Sequence, residues 1–363
     1  MKVIHFITAI DRSLGGVSMY MQLLTKDLGQ LVDLLVVTRP TNNPLPLENC
    51  KLEYLPLPIS KLWKFRDQWI DILKRERPDV VHINGIWMIQ TWIIQREALQ
   101  MGIKTYITTH GMLEPWIINR HPLKKKIALF FFQRKALRQA VALVATADTE
   151  KRNIDNLGYN KNVVVIPNGI DISAIKMKHD WTLKKRILYL SRIHVKKGIE
   201  LLLDALILME DKLEGYEVII AGEGEDSYVE MLKERAKKFN CVKITFMGGV
   251  YGEQKWNLYR NSDFFVLPSY TENFGYVIAE SLSCGTPVIT TKDTPWEDLE
   301  KYNCGCWIER NVLAFVTAIS NFVSLDAVGL KILGCNGRKL VEEKYSSVSV
   351  ARALQILYLN NKM

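Results

Sequence analysis

The stretch Phe264-Phe-Val-Leu267-Pro-Ser-Tyr-Thr-Glu272-Asn-Phe-Gly275-Tyr-Val-Ile-Ala-Glu280 joins an apolar run, a polar turn and a second apolar run. The first run is typical of a buried parallel strand, and the residues from Val277 to Leu282 predict a helix packed on it. The turn from Thr271 to Gly275 therefore follows the carboxyl end of a strand. Because open α/β sheets bind their ligands at that edge, the stretch predicts both a fold class and the place of a site.

The chemistry of this turn favours a phosphate group. Backbone N–H groups around Phe274 and Gly275 precede a helix, whose N-terminus attracts anions. Glu280 lies about one and a half turns into that helix, near enough to accept hydrogen bonds from a ribose or sugar hydroxyl. The alternative is a surface loop followed by an amphipathic helix with a solvated glutamate, and a single motif does not decide between the two.

Short β-rich runs alternate with helical patterns along both halves of the chain, which predicts two parallel sheets with crossover helices. In the first half these runs are Val3–Ile7, Leu31–Thr38, Val80–Asn84, Lys104–Thr109, Val141–Ala145 and Val163–Ile166. In the second half they are Arg186–Leu190, Tyr216–Ala221, Val242–Phe246, Phe264–Leu267 and Pro287–Thr290. We predict domains at residues 1–180 and 181–345, followed by a closing segment at 346–363 that contains a helix.

Composition narrows the class of protein. The 363 residues are 48% hydrophobic and 24% charged, which suits two folded domains. The formal charge of +9 predicts an anionic partner: nucleic acid, anionic lipid or a phosphorylated substrate. Because zinc-finger spacing, a basic-region zipper and RRM-type aromatic motifs are all missing from the sequence, we expect no nucleic acid.

Cellular location is predicted from cysteine usage and hydropathy. The six cysteines are scattered, and no secretory signal precedes the first predicted strand, so we expect reduced thiols in the cytoplasm. No apolar stretch in the sequence reaches the roughly 18 to 20 residues that a membrane-spanning helix needs.

A second candidate motif follows the first predicted strand of the second domain. The segment Tyr189-Leu-Ser-Arg192-Ile-His-Val-Lys-Lys197-Gly198 places two cations at the end of a strand, just before a helix. Two cations in that position can clamp a diphosphate. The alternative is a solvated basic loop.

Taken together, these motifs resemble the E-x7-E signature and the S-R-x4-K-G element of glycosyltransferase family 4, retaining enzymes of the GT-B architecture. The resemblance covers nearly the whole chain. It implies an α/β protein with two Rossmann-like, doubly wound parallel-sheet domains that face an interdomain cleft, with the final helix returning to the first domain. It also implies that Arg192 and Lys197 bind the donor diphosphate and stabilise it as it leaves.

The resemblance assigns further residues. Glu272 would hold the hydroxyls of the donor sugar, and Glu280 would hold the ribose. The remaining donor-binding positions it implies are Gly16, Val250, Asn273, Phe274 and Gly275.

The loop Ile10-Asp-Arg-Ser-Leu-Gly-Gly16 lacks the G-x-G-x-x-G dinucleotide fingerprint, which argues against a dehydrogenase. In the first domain, the resemblance places His110 next to the donor sugar. The alternative for His110 is an ordinary buried or turn histidine. Glu114, Trp116 and the segment His82-Ile-Asn-Gly-Ile-Trp87 would shape the acceptor pocket.

The mechanism implied by the resemblance is front-face substitution, in which the leaving phosphate helps to deprotonate the acceptor hydroxyl. The sequence contains no G-x-S-x-G elbow and no convincing D-x-D motif, so we expect a metal-independent transferase without a cofactor. It would move a hexose from a UDP- or GDP-linked donor to a hydroxyl of a growing surface glycan, such as lipopolysaccharide or capsule. The glycan acceptor would be linked to polyprenyl diphosphate.

A basic segment could attach the protein to a membrane. From His121 to Arg138 the sequence interleaves cations with the apolar cluster Phe130 to Phe132 at helical spacing, which resembles an interfacial helix. Peripheral binding to the anionic inner face of the plasma membrane would follow. The alternative is a core helix with a basic exposed side.

Two other functions remain open on the sequence. A sugar-nucleotide 2-epimerase would share the architecture and the diphosphate chemistry but would need no acceptor. A non-catalytic nucleotide-sugar-binding subunit of a glycan assembly complex would bind the donor without turnover.

Overall fold

The computed structural model describes residues 1–14, 16–56, 60–120 and 122–360. Gly15 and His121, which belong to two of the predicted segments, lie outside these ranges. The chain divides into two compact units. The first unit contains Met1–Gly169 and the segment that starts at Ser347, and the second unit is Ile170–Ser346.

The first unit is built on a parallel sheet with helices on both faces. Its described strands are β1 Lys2–Ala9, β2 Asp33–Arg39, β3 Lys51–Tyr54, β4 Val80–Asn84, β5 Lys104–Thr108, β6 Ala142–Ala145 and β7 Val163–Val165. They lie in the order β3-β2-β1-β4-β5-β6-β7. Val3, Ile4 and Phe6 of β1 are fully buried, as expected for a central strand covered on both faces.

Helices connect these strands. They are α1 Gly16–Leu31, α2 Leu62–Glu76, α3 Ile89–Gln100, α4 Pro115–Ile118, α5 Pro122–Ala128, α6 Arg134–Gln139 and α7 Asp148–Leu157. A short 3-10 turn covers Arg12–Leu14, and a π-helical turn at Leu129–Gln133 links α5 to α6.

The second unit repeats this plan. Its strands are β8 Arg186–Leu190, β9 Glu217–Ala221, β10 Lys243–Gly248, β11 Phe264–Leu267, β12 Val288–Thr291 and β13 Gly305–Ile308, in the order β10-β9-β8-β11-β12-β13. Its main helices are α8 Ile199–Leu208, α9 Asp226–Ala236, α10 Gly252–Arg260, α11 Tyr276–Ser283, α12 Asp298–Lys301, α13 Val312–Val323 and α14 Ala327–Leu340. All the strand pairs in both sheets are parallel, which confirms the predicted α/β class with two Rossmann-like sheets.

Two edge strands, β3 and β13, are absent from the strands predicted from sequence. β3 has the sequence Lys-Leu-Glu-Tyr and is mostly exposed, and all four residues of β13 are only half-buried. Because each strand pairs on one side only, neither needs the continuous apolar run that marks a central strand.

The segment that connects the two units packs on the second unit. Lys178 donates from its backbone N–H to the Cys284 carbonyl at 3.0 Å and from Nζ to the Ser262 carbonyl at 2.8 Å. The Ile170 N–H donates to the Tyr345 carbonyl at 2.8 Å. Residues 170–180, which the sequence assigned to the first domain, therefore lie in the second unit. The sequence of this segment is polar and non-periodic, so it carries no local signal for these contacts.

The last helix, α15 Ser347–Asn360, belongs to the first unit. Leu354 and Tyr358 are buried in a cluster that contains Leu24 and Leu28 of α1. The Gln355 side chain donates to the Leu31 carbonyl at 3.1 Å, at the end of α1. The C-terminal segment therefore completes the core on one face of the first sheet.

Within the described ranges, no single helix has both the length and the apolar composition to cross a membrane. Two consecutive helical segments, Val312–Val323 and Ala327–Tyr345, meet those criteria only as a pair, and they are bent by 113° at the break between them.

Trp69 links α2 to the neighbouring helix α3, and its replacement tests the packing of this unit. The ring is fully buried, and its Nε1–H donates to the Ile94 carbonyl at 3.0 Å. We expect Trp69→Ala to lower the free energy of unfolding by about 3–5 kcal/mol, because a large cavity replaces the ring. Urea unfolding followed by far-UV circular dichroism measures the change.

Trp63→Ala is the matched control, because Trp63 lies on the same helix with its ring 68% exposed. This variant should stay within about 0.5 kcal/mol of the wild type. Equal losses for the two variants would contradict the described orientation of α2.

Candidate active site

Strand order brings two of the predicted motifs together in the second unit. The order reverses between β8 and β11, which are neighbours in the sheet although β9 and β10 come between them in sequence. The loop after β8 carries Arg192 and Lys197, and the loop after β11 carries Glu272 and Gly275. A reversal of this kind leaves room for a ligand at the carboxyl edge of a parallel sheet.

The two loops are in direct contact. The Tyr270 N–H donates to the Lys196 carbonyl at 2.8 Å, and the Ser269 hydroxyl donates to the same carbonyl at 3.2 Å. Gly198 makes this approach possible. A Cβ at Gly198 would lie 2.2 Å from the Pro268 carbonyl oxygen, and the backbone there has a φ of +67°. Glycine is required at this position both for space and for conformation.

Lys197 and Glu272 form an ion pair across these loops. The Lys197 Nζ donates to Glu272 Oε1, and the two side chains are 14% and 11% exposed. Each of these largely buried charges is therefore compensated by the other. The residues predicted to hold a diphosphate and a sugar hydroxyl occupy one site.

Glu280 is held by a different pair of side chains. Its Oε1 accepts from Lys255 Nζ at 2.7 Å, and its Oε2 accepts from the Tyr259 hydroxyl at 3.1 Å. Both partners lie on α10, a helix that sequence analysis did not connect with the site. Glu280 and Lys255 are 25 positions apart, so no local spacing could have identified the pair.

Aromatic packing fixes the turn between β11 and α11. The Phe274 ring is buried against Tyr276, Trp296 and Tyr345, and the Trp296 indole N–H donates to the Phe274 carbonyl. Gly275, with a φ of +80°, caps α11. Asn273 is exposed. The Phe274 side chain therefore faces the core, and what this residue can offer a ligand is its backbone.

The loops after β9 and β10 lie at the same carboxyl edge of the second sheet. Gly222 donates its N–H to the Gly248 carbonyl at 2.7 Å, and a Cβ at Gly222 would lie 1.8 Å from the Ser191 carbonyl oxygen. Val250 is buried, so that a contact with a nucleobase would have to come from its backbone. Arg192 is exposed, and its carbonyl accepts from the Tyr189 hydroxyl at 3.2 Å.

In the first unit, His110 follows β5 in a backbone conformation that is rare for a non-glycine residue, with a φ of +48°. The residue is only 5% exposed, and its Nε2 lies 3.3 Å from Asn84 Oδ1. Burial lowers the pKa of His110 to about 4. The imidazole is therefore neutral at physiological pH and acts as a hydrogen-bonding group rather than as a cation.

Glu150 on α7 holds the His110 loop in place. Its Oε1 accepts from the Thr109 hydroxyl and from the Gly111 N–H, both at 2.5 Å. Its Oε2 accepts from the Thr146 N–H and hydroxyl, both at 2.7 Å. One buried carboxylate thus ties both neighbours of His110 to the end of β6. Sequence analysis missed Glu150, because it lies 40 positions from His110 on another helix.

Other first-unit residues named from sequence are placed as follows. His82 is fully buried with both ring nitrogens hydrogen-bonded, to Tyr358 and Thr108, so it lies inside the unit rather than on a pocket wall. Glu114 accepts from Asn153 Nδ2 at 2.6 Å, and burial raises the pKa of its carboxyl. Gly16 begins α1, and a Cβ there would meet nothing within 4 Å. The Trp116 side chain lies outside the described atoms.

Across the described ranges, no three His, Cys, Asp or Glu side chains converge in a geometry that could hold a metal ion.

Gly198 offers a test of the loop contact. Gly198→Ala should cost more stability than the about 1–2 kcal/mol expected for a left-handed alanine, because its Cβ also clashes with the Pro268 carbonyl. Separation of the loops should also weaken the binding of a nucleoside diphosphate. Calorimetric unfolding and titration with UDP and GDP measure the two effects.

Gly158→Ala is the matched control, since Gly158 has a φ of +64° but nothing within 4 Å of its Cβ position. It should show only the conformational cost and keep its affinity for the nucleotide. Similar behaviour of both variants would contradict the close contact between the loops.

The sequence of the chain matches two known protein families. The family described as "Glycosyl transferases group 1" matches residues 171–339, and "Glycosyltransferase Family 4" matches residues 14–174. The two matches cover most of the two units in turn.

The individual relatives reported next share less than 30% of their residues with this chain. An uncharacterized glycosyltransferase of Methanocaldococcus jannaschii is 28% identical over 61% of this chain and 59% of its own length, so the match spans little more than half of that relative. A GDP-mannose-dependent alpha-(1-6)-phosphatidylinositol dimannoside mannosyltransferase of Mycobacterium tuberculosis is 24% identical over 70% of this chain and 67% of its own length.

A solved structure, Anabaena HepE in complex with UDP, aligns with 99% of this chain and 100% of its own at a TM-score of 0.74 and 16% identity. At that identity the likeness concerns the fold, which is the GT-B architecture predicted from the sequence. The matches to both family descriptions, in the expected order along the chain, show that this protein belongs to the glycosyltransferases of the family 4 type.

Proposed function

We propose that this protein is a retaining, metal-independent hexosyltransferase that needs no cofactor. It takes a hexose from a UDP- or GDP-linked donor and transfers it to a hydroxyl of a growing, polyprenyl-diphosphate-linked surface glycan. The observation that carries the proposal is the contact between Lys197 and Glu272 on adjacent loops. A cation suited to phosphate and a carboxylate suited to sugar hydroxyls meet there at the ligand-binding edge of a parallel sheet.

The charges at this edge suit a leaving diphosphate. As the bond between sugar and phosphate breaks, negative charge grows on the nucleoside diphosphate, and fixed cations stabilise that charge more than they stabilise the bound donor. Lys197 is fixed by its pairing with Glu272 and needs little reorganisation to meet a phosphate. Arg192 lies exposed on the same loop and supplies a second cation.

The two glutamates take separate parts of the donor. Glu272, beside Lys197, accepts hydrogen bonds from the hydroxyls of the hexose. Glu280 accepts from the ribose hydroxyls, and Lys255 and Tyr259 keep its carboxylate oriented. Both carboxylates are engaged by cations, so front-face displacement, with the leaving phosphate as the acceptor of the incoming hydroxyl's proton, suits these residues better than attack by a carboxylate.

The relatives bear on the choice of donor and acceptor. The mycobacterial relative is named for GDP-mannose and a phosphatidylinositol acceptor, whereas the Anabaena structure holds UDP. We therefore propose a donor that carries either guanine or uracil. The named lipid acceptor supports a lipid-linked acceptor here.

A surface on the first unit supports docking on the inner face of the plasma membrane. Along α5 and the following π-helical turn, four large apolar side chains face solvent: Leu123, Ile127, Phe130 and Phe131, with exposures of 75%, 58%, 80% and 71%. We call these four residues the apolar ridge. Lys124 and Lys126 beside it are exposed, as are Lys135 and Arg138 on α6. Apolar side chains with flanking cations suit an anionic lipid surface.

Replacement of Lys197 tests the transfer reaction. We expect Lys197→Ala to lower kcat/KM by about 10²–10³-fold, the usual effect of losing one fixed electrostatic stabiliser of a leaving anion. Glu272→Ala should show a comparable loss, because it removes the partner that holds both the lysine and the sugar. Release of UDP or GDP and transfer to a lipid-linked acceptor are followed with UDP-glucose and GDP-mannose.

Lys292→Ala is the control, since Lys292 pairs with Glu309 at 2.8 Å on the surface of the same unit. It should retain wild-type activity. Wild-type rates in Lys197→Ala and Glu272→Ala would end the assignment. An epimer formed from the donor alone would favour the epimerase, and binding without turnover across an acceptor panel would favour a non-catalytic subunit.

The apolar ridge gives a separate prediction. The wild type should float with phosphatidylglycerol vesicles but not with phosphatidylcholine vesicles, and high salt should weaken this binding. The double variant Phe130→Ser and Phe131→Ser should lose most of it. Leu313→Ser, at a side chain that is also 71% exposed but lies in the second unit, should not. Equal flotation with both lipids would contradict the proposal.

A further inference from the structure

A connected set of buried polar side chains runs through the first unit. It reaches from His110 to the C-terminal helix α15. Its members are His5, His82, Asn84, Thr108, His110 and Tyr358, each no more than 5% exposed. We call this set the histidine relay.

Short polar contacts link its members one after another. Asn84 Oδ1 lies 3.3 Å from His110 Nε2, and Asn84 Nδ2 lies 3.2 Å from His5 Nδ1. The Tyr358 hydroxyl lies 3.0 Å from His5 Nε2 and 2.5 Å from His82 Nδ1.

His82 closes the far end, with its Nε2 2.6 Å from the Thr108 hydroxyl. The rings of His5 and His82 are also stacked, with centroids 4.7 Å apart.

One backbone carbonyl fixes the orientation of the Asn84 amide. Asn84 Nδ2 lies 3.2 Å from the carbonyl oxygen of Phe6, which can only accept a hydrogen bond. The amide NH₂ must therefore face Phe6, and Oδ1 must face His110. Because Oδ1 can only accept, His110 has to carry its proton on Nε2.

The same amide sets the direction of the other contacts. Since Asn84 donates to His5 Nδ1, the proton of neutral His5 lies on Nε2 and is donated to the Tyr358 oxygen. Tyr358 then donates its hydroxyl proton to His82 Nδ1, and His82 donates from Nε2 to Thr108. Every member has a matching partner in this direction, and reversal would leave two N–H groups of Asn84 and His5 facing each other.

The environment agrees with neutral rings throughout. Burial lowers the pKa of His5 to about 3 and that of His110 to about 4, and it also lowers the pKa of His82. The groups that face His110 include the ring of Tyr20 on α1, whose pKa burial raises, so it is uncharged as well.

We propose that Asn84 is a positioning residue that locks His110 and His5 in the Nε2–H tautomer, and that Tyr358 of the last helix locks His82 in the same tautomer through His82 Nδ1. Nδ1 of His110 then carries the lone pair, so the ring side chain can accept a hydrogen bond from a substrate hydroxyl at Nδ1 but cannot donate one there. This consequence rests on the proposed function, whereas the tautomer does not.

The tautomers can be measured without any substrate. Long-range ¹H–¹⁵N correlation spectra of protein labelled with [¹⁵N]histidine distinguish a protonated ring nitrogen from an unprotonated one. At neutral pH we expect His5, His82 and His110 each to show a protonated Nε2 and an unprotonated Nδ1. Single histidine-to-glutamine variants assign the signals. A protonated Nδ1 on His110 in the wild type would overturn the proposal without recourse to any relay variant.

Two variants separate the ends of the relay. Asn84→Ala should give His110 and His5 mixtures of tautomers, while Tyr358→Phe should disturb His82 and leave His110 unchanged. Tyr106→Phe is the matched control, because Tyr106 is buried against Tyr358 and its hydroxyl lies 3.5 Å from the Leu357 carbonyl. It should change none of the three. An unchanged His110 tautomer in Asn84→Ala would overturn the proposal.

Kinetics show whether the tautomer matters for transfer. Asn84→Ala should lower kcat by about tenfold or more with little change in the KM for the nucleotide sugar, and Tyr106→Phe should not. If the protein transfers no sugar at all, the spectra still decide the tautomer. If His110 is locked in one tautomer in the wild type and kcat is nevertheless unchanged in Asn84→Ala, the link between the tautomer and catalysis is overturned.

Discussion

The close contact between the loops after β8 and β11 is the constraint on which the candidate site depends. Parallel strands place all their carboxyl ends at one edge, and the reversal of strand order makes these two loops neighbours. Gly198 then lets one loop touch the backbone of the other at Pro268, and the adjacent Lys197 pairs with Glu272 across the same two loops. The residues proposed to bind the diphosphate and the sugar hydroxyls lie side by side for this reason.

In the first unit, hydrogen bonds between buried polar groups hold the candidate residue His110 in place. His110 occupies a left-handed backbone conformation, which costs free energy and persists only where the surroundings hold it. Glu150 binds the residues on either side of it, and Asn84 binds its ring. A buried network whose members are all satisfied is rigid and defines one arrangement. The last helix takes part in this network through Tyr358, in addition to its apolar packing on α1.

The sequence predicted much of this organisation because the signals were local. A strand, a turn and a helix between Phe264 and Glu280 placed this turn at the carboxyl edge of a sheet, and the central strands followed from their apolar runs. The edge strands β3 and β13 lacked such runs and were missed. The predicted domain boundary put residues 170–180 in the first domain, whereas backbone contacts such as that of Lys178 with Cys284 place them in the second unit.

By itself, the sequence determined the α/β class, the alternation that builds two parallel sheets, and the cations and carboxylates available for a nucleotide sugar. Those properties depend on residue type and on spacing within a few turns or strands. Tertiary structure alone decided the partners: Lys197 with Glu272, Glu280 with Lys255, and His110 with Asn84 and Glu150. These contacts join residues on separate elements, so their geometry depends on strand order and on the packing of helices, for which one sequence carries no local signal.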